Sequence, residues 1–230
     1  MKYPVNSVSE EDIGKSDILF LCVKPSQIET VGKTLKPLLS SGCLVISIMA
    51  GITVKQLLFH LNPRYLARAM ISIVSQNGRM FINIYNVPGD LIIILDKYFK
   101  LVLVFKEDDI DAIMSFLSCG PAFVAQLFKM YLESARVMLP NRENEVDRQN
   151  EVDKQNEVGE WVREMFGDTI QEMADETPDD LTARVACRGG ATEKGLVKIG
   201  ESTLRADLEG AFKLAYARAQ EIGRVINAKE

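Results

Sequence analysis

Apolar residues in the first hundred positions come in short dense bursts, separated by stretches with helical spacing. Residues 17–23 (DILFLCV) form one burst, stopped by Lys24-Pro25, and 44–49 (LVISIM) form a second, closed by Ala50-Gly51. Such runs, apolar on both faces, predict strands buried in a parallel sheet. Between them Ile28, Val31, Leu35, Leu38 and Leu39 recur near the helical period, with Ser26 placed to cap. The pattern then predicts a helix over 53–61, strands over 65–73 and 81–85, a helix over 90–99 and a strand over 101–105. Strands joined by crossover helices predict a doubly wound sheet. From about residue 107 only helical spacing remains, over 108–117, 121–138, 160–174, 178–185, 192–199 and 204–226, with Pro121 suited to a first turn. The reading is an α/β part over 1–106 and an all-α part over 107–230.

One segment fits neither part. Residues 144–158 read NEVDRQ-NEVDKQ-NEV, and a period of six is neither a heptad nor a solenoid repeat. Valine is its only apolar residue type, so 141–158 reads as an expanded, solvated acidic insertion; an acidic docking segment is the alternative. It holds six acidic and three basic residues, so most of the net charge of -5 sits there and says little about a ligand.

The 230 residues, 47% of them hydrophobic, are enough for a core of one large or two small domains. The acidic balance argues against a grip on phosphate backbones, so no nucleic-acid partner is expected. Cys22, Cys43, Cys119 and Cys187 are scattered and His60 is the sole histidine, which leaves neither a metal-site spacing nor a disulfide framework. The thiols read as reduced and mostly buried. His60, between Phe59 and Leu61 in a helical pattern, reads as structural. No run approaches the roughly 18 apolar residues of a membrane span, and the N-terminus lacks an apolar signal region. A cytoplasmic protein without a membrane partner is expected.

Three places carry candidate chemistry. Carboxyl ends of parallel strands border the ligand crevice of a doubly wound sheet, which puts Val23, Lys24 and Pro25 there; the alternative is a proline strand stop with Lys24 solvated. Ala50 and Gly51 end the next strand, and small residues let a ligand approach the backbone, although a plain turn glycine reads the same way. Gly189, Gly190, Ala191 and Thr192 precede a helix, where free amides and the positive end of the dipole suit a carboxylate. The alternative is an ordinary junction capped by Thr192.

The ordered set 16–39 with 44–53, SCGPAF at 118–123 and RVACRGGATEKGL at 184–196 resembles pyrroline-5-carboxylate reductase over nearly the whole chain except the repeat. The resemblance implies a Rossmann-like NAD(P)-binding domain, then a helical dimerisation domain, and reduction of a cyclic imine carboxylate to proline by hydride transfer. It implies NADP or NAD along Val23, Lys24, Pro25, Ala50 and Gly51. It implies an imine carboxylate at Cys119, Gly120, Pro121, Gly189, Gly190, Ala191 and Thr192, and a homo-oligomer through the helical part.

Four departures qualify it. The family's opening strand, Gly-x-Gly-x-x-Gly turn and helix are missing, about 40–50 residues by the usual size of such a unit, so dinucleotide binding is expected to be impaired. The family's Met-Pro-Asn-Thr-Pro loop falls on Met70, Ile71, Ser72, Ile73 and Val74, without its prolines or asparagine. Cys119 stands for a serine, and Cys187-Arg188 for Ser-Pro. No general acid–base pair is evident, and imine reduction does not require one, since water can supply the proton. A non-catalytic paralogue that keeps the helical dimer, or a reductase of a different imine, are the alternative readings.

Overall fold

A computed structural model describes residues 9–76, 79–138 and 148–227. The chain divides into two units, Met1–Pro121 with Glu209–Glu230, and Ala122–Leu208.

The first unit opens with helix α1 (Glu10–Lys15), which the sequence reading did not foresee. Its start is a capping box: the Asp12 amide donates to Ser9 Oγ, and the Ser9 amide donates back to Asp12. Strands β1 (Ile18–Leu21) and β2 (Leu44–Ser47) are the two apolar bursts, and β3 (Tyr65–Gln76) follows them in parallel. Strand β4 (Arg79–Tyr85) runs antiparallel to β3, and β5 (Phe99–Val104) runs parallel to β4. The sheet order is β1-β2-β3-β4-β5. The sheet is therefore mixed, and its strand order never reverses.

Helices nonetheless cover both faces, and crossover handedness accounts for it. Helices α2 (Ile28–Leu35) and α3 (Val54–Leu61) join strands that run one way, so right-handed crossovers put both on one face. There Ile28, Leu35, Leu57 and Leu61 pack on Leu21, Val45 and Leu66. Helix α4 (Gly89–Asp96) joins β4 to β5, which run the other way, so the same handedness puts it on the opposite face. There Leu91 and Leu95 meet Leu44, Ile46, Ala67, Ala69, Ile82 and Ile84. Leu44 and Ile46 serve one cluster and Val45 the other, as the period-two geometry of a strand requires.

Helix α5 (Glu107–Leu117) and the end of α10 (Leu204–Asn227) lie on the α2–α3 side, where Ile110, Met114 and Ala219 pack on Met70 and Val104. Helix α2 does not begin at Ser26. A 3-10 turn, Pro25–Gln27, precedes it, and its N-cap is Gln27, with no side-chain bond. Residues 70–74 are a continuous part of β3 rather than a loop, with Met70 opposite Asn83 and Ile71 opposite Ile82. No proline removes a ladder donor there, although the register with β4 shifts between Ile71 and Ser75.

In the second unit, most of α6 (Gly120–Val137) packs with α7 (Arg148–Glu172): the Phe166 ring meets Phe128 and Tyr131 edge-on, centroids 5.2 and 5.1 Å away. Helix α7 corrects the reading of the hexad repeat. Residues 148–158 are helical, because Arg, Gln, Glu and Lys are good helix formers and the stretch has no glycine or proline. Val158 and Val162, one turn apart, are buried. Residues 139–147, which include the start of the repeat, lie outside the described residues. Helices α8 (Pro178–Val185) and α9 (Ala191–Gly200) complete the unit.

The stretch Glu107–Val137 is long and apolar enough to cross a membrane by length and composition. Its first part, α5, is committed to the sheet through Ile110 and Met114.

Candidate functional site

The last paired residues of β1 and β2 are Leu21 and Ser47. One further bond, from the Ile48 amide to the Leu21 carbonyl at 3.2 Å, carries the ladder past them. The two turns that follow, 22–25 and 48–51, consequently lie side by side at the carboxyl edge of the sheet. Val23 is half-buried against the α2–α3 core, and Lys24 is exposed. The Lys24 amide donates to Gln27 Oε1 at 3.1 Å and its carbonyl accepts from the Gln27 amide at 2.9 Å, which makes the turn tight and local. Pro25 borders a groove that runs past Phe59 and His60 to Val225. His60 meets the Phe59 ring edge-on at 5.1 Å.

Ala50 is half-buried and packs on the Met70–Met114 cluster. Gly51 is buried with φ of +75°. A Cβ there would run into the Ala219 carbonyl, and one on Gly223 would meet the Gly51 carbonyl. The backbone that Gly51 admits is thus that of α10. Beyond it Thr53 caps α3: the Gln56 amide donates to Thr53 Oγ1 at 3.3 Å, and the Thr53 amide donates to Gln56 Oε1 at 2.8 Å.

Cys119 lies between α5 and α6, its amide bonded to the Met114 carbonyl at 3.1 Å. Its side chain packs on the same cluster as Ala50, so these two candidate residues share one neighbourhood. Burial pushes the Cys119 thiol pKa up, which keeps it protonated and makes it a weak donor. Gly120 and Pro121 follow as the first residues of α6.

Gly189, Gly190, Ala191 and Thr192 lie in the second unit. Gly189 has φ of +76°, and Gly190, not Thr192, is the N-cap of α9, with no side chain to close the cap. The Gly189 amide donates to Glu193 Oε2 at 2.7 Å, so a carboxylate of the chain itself already sits at this helix start. Thr192 is exposed in the first turn.

The sequence reading missed a buried charge cluster behind the first site. Arg68, opposite Ser47 on β3 and only 1% exposed, donates from Nη2 to Asp111 Oδ1 at 2.5 Å, and its Nη1 lies 3.6 Å from Glu107 Oε1. Asp111 Oδ2 also accepts from Gln220 of α10 at 3.1 Å. The available signal was an arginine inside an apolar strand and an acidic run, Glu107, Asp108, Asp109 and Asp111, at a helix start. Among the described residues no cluster of three or more metal-ligating side chains occurs.

A family model described as ketopantoate reductase PanE/ApbA matches residues 1–80, about a third of the chain. Pyrroline-5-carboxylate reductase of Staphylococcus aureus is 27% identical over 221 residues, covering 91% of this chain and 76% of that protein. The fold matches the NADP-bound pyrroline carboxylate reductase of Plasmodium falciparum with a TM-score of 0.76 at 20% identity, over 95% of this chain and 81% of that one. It matches the enzyme of Coxiella burnetii with a TM-score of 0.75 at 23% identity, over 94% and 80%. These likenesses run through both units, whereas the family model stops inside β4.

The chain is similar in sequence and fold to pyrroline-5-carboxylate reductases along nearly its whole length.

Proposed function

We propose that the chain is an NAD(P)H-dependent reductase of cyclic imine carboxylates, with 1-pyrroline-5-carboxylate as substrate and L-proline as product. The observation that carries this reading is the pair of adjacent turns at the carboxyl edge of β1 and β2, in a chain whose relatives carry that name. The reading takes 1–106 as the cofactor domain and 107–230 as the substrate and dimerisation domain, and a cytoplasmic setting goes with it.

The residues fit a dinucleotide at two places. The exposed Lys24 turn, with Val23 and Pro25, suits the ribose and adenine side; the neighbouring Ala50-Gly51 turn, whose small size is taken up by α10, is assigned to the nicotinamide side by its place at the strand ends. No Gly-x-Gly-x-x-Gly turn occurs in the 230 residues to hold the pyrophosphate. When bound, NAD(P)H would supply a hydride to the imine carbon. The chain's own part is to bind and orient. The reading assigns Cys119, Gly120 and Pro121, and the 189–192 turn, to the imine carboxylate; the helix start at 189–192 suits a carboxylate, a place that Glu193 fills in the free chain. Solvent water delivers the proton to nitrogen, so no side-chain acid is required.

Calorimetric titration with NADPH and NADH, followed by turnover of 1-pyrroline-5-carboxylate, tests the reading. Missing pyrophosphate contacts cost about 3 kcal/mol, two powers of ten in Kd, so binding should be measurable but far weaker than micromolar. No binding of either dinucleotide at millimolar concentration would sink the reading; micromolar binding would show that the pyrophosphate is held some other way.

A second substrate is favoured by one observation. Residues 70–74 lie within β3, with Met70 and Ile71 paired to β4 and the register shifting between Ile71 and Ser75, where the family resemblance implies a proline-bounded loop at the pocket. A screen of five- and six-membered cyclic imine carboxylates decides between ring sizes.

The reading includes a homo-oligomer. The helical unit leaves Met130, Tyr131, Trp161 and Ile170 each at least half exposed, more apolar surface than a lone unit of this size carries without a partner. Light scattering should give a dimer or larger; a stable monomer at micromolar concentration would refute this part.

A further inference from the structure

We infer that Glu107 is a positioning residue for the 50–53 turn, holding from across the fold the backbone that borders the nicotinamide side. The inference rests on the reading of Ala50 and Gly51 given above.

The turn has three restraints. Gly51 is held from one side by the backbone of α10. Gln56 ties the turn's end locally through its box with Thr53, and its Nε2 donates to the Gly223 carbonyl at 3.2 Å. The third restraint is remote. The first amide of a helix has no intrahelical acceptor, and the Thr53 box serves the Gln56 and Thr53 amides but not that of Val54. The Val54 amide donates instead to Glu107 Oε1 at 2.6 Å, a bond across 53 residues of chain.

Two positive charges converge on this oxygen. The Glu107 carboxylate faces the positive end of α3, which favours an anion. It also lies 3.6 Å from Nη1 of the buried Arg68. Arg68 stands opposite Ser47, the last residue of β2. One carboxylate therefore links the end of the sheet, the start of α3 and the start of α5, on either side of the 48–53 turn. A charged acceptor makes the short bond strong. Glu107 is 26% exposed, unlike Arg68 and Asp111, so its replacement leaves the core intact and separates positioning from folding.

The experiment uses the full chain and two variants. Glu107→Ala removes the acceptor, and Glu107→Gln keeps an oxygen for the Val54 amide while removing the charge. Amide exchange of 51–54 is measured without ligand, then NADPH affinity by calorimetry, with circular dichroism to confirm folding. Glu107→Ala should raise exchange at Val54 about tenfold and weaken NADPH binding about tenfold, and Glu107→Gln should restore most of both. Unchanged exchange in Glu107→Ala overturns the positioning role and leaves the reading of the turn standing. Raised exchange with unchanged NADPH affinity overturns the inference together with the assignment of Ala50 and Gly51 to the cofactor. A wild-type chain that binds no dinucleotide refutes the underlying reading before either variant is compared.

Discussion

Gly51→Ala and Gly223→Ala are each expected to destabilise the first unit by about 3 kcal/mol or more, in the range reserved for steric conflict in a packed interior. The two glycines meet backbone to backbone, where α10 crosses the turn after β2. At Gly51 two penalties add. Its φ of +75° costs a residue with a Cβ about 1–2 kcal/mol, and the new methyl group collides with the Ala219 carbonyl and the Gly223 amide. Neither neighbour is a flexible side chain, so the helix itself must move and give up the packing of Ala219 and Ile226. Gly223 is the cleaner probe. It sits inside a helix at negative φ, where propensity alone makes alanine better than glycine by about 1 kcal/mol. The collision with the Gly51 carbonyl must overcome that gain, so the sign of the change is diagnostic. Urea unfolding followed by circular dichroism measures it. A neutral or stabilising Gly223→Ala would show that α10 does not rest on this turn. The double variant should lose less than the sum, because a helix already lifted by one methyl group has relieved the other.

This contact marks the limit of what the sequence discloses. Buried parallel strands read as dense apolar runs, so β1 and β2 are legible, and their parallel course alone makes the 22–25 and 48–51 turns neighbours. The Thr53–Gln56 and Ser9–Asp12 boxes are spacings that a sequence displays, the second inside a polar N-terminal stretch. Strand direction is another matter. Nothing in Phe81–Tyr85 distinguishes parallel from antiparallel pairing, because alternation sets which face a side chain takes and not which way the strand runs. The same gap hides β3, whose extension through 70–74 depends on a partner strand. Gly51 shows the limit at the site. A small residue after a strand admits a close backbone, and the sequence does not say whether that backbone is a ligand's neighbour or a helix. Only Gly223, a glycine in the middle of a helical pattern 172 positions later, points to the answer. The hexad repeat fails for a different reason: its period argues against amphipathic packing, yet its residue types favour a helix, and propensity prevails.

Breaking the Arg68–Asp111 pair should have the other large effect. Both side chains are at most 3% exposed, and removing one member of a buried pair leaves an uncompensated charge, at about 3–5 kcal/mol. Asp111→Ala is expected near the upper end. An arginine cannot shed its proton, its Nε already lacks a partner, and the remaining Glu107 oxygen is 3.6 Å away and partly solvated. The change also strands Gln220, the side chain by which α10 hydrogen-bonds α5. Arg68→Met should cost less, because Asp111 keeps the Gln220 donor and methionine fills the space beneath α5. Replacing both, as Arg68→Met with Asp111→Leu, should recover most of the loss, since two apolar groups of similar volume leave no unpaired charge. The expected coupling is at least about 2 kcal/mol, well beyond the few tenths by which independent sites deviate from additivity. Denaturant unfolding of the four-member cycle measures it. Additive losses would mean that the pair is held by its surroundings rather than by mutual attraction. In that case α10 would be held by the Gly51–Gly223 contact, the Gln56–Gly223 bond and the packing of Ala219, and Gln220→Ala would leave stability unchanged.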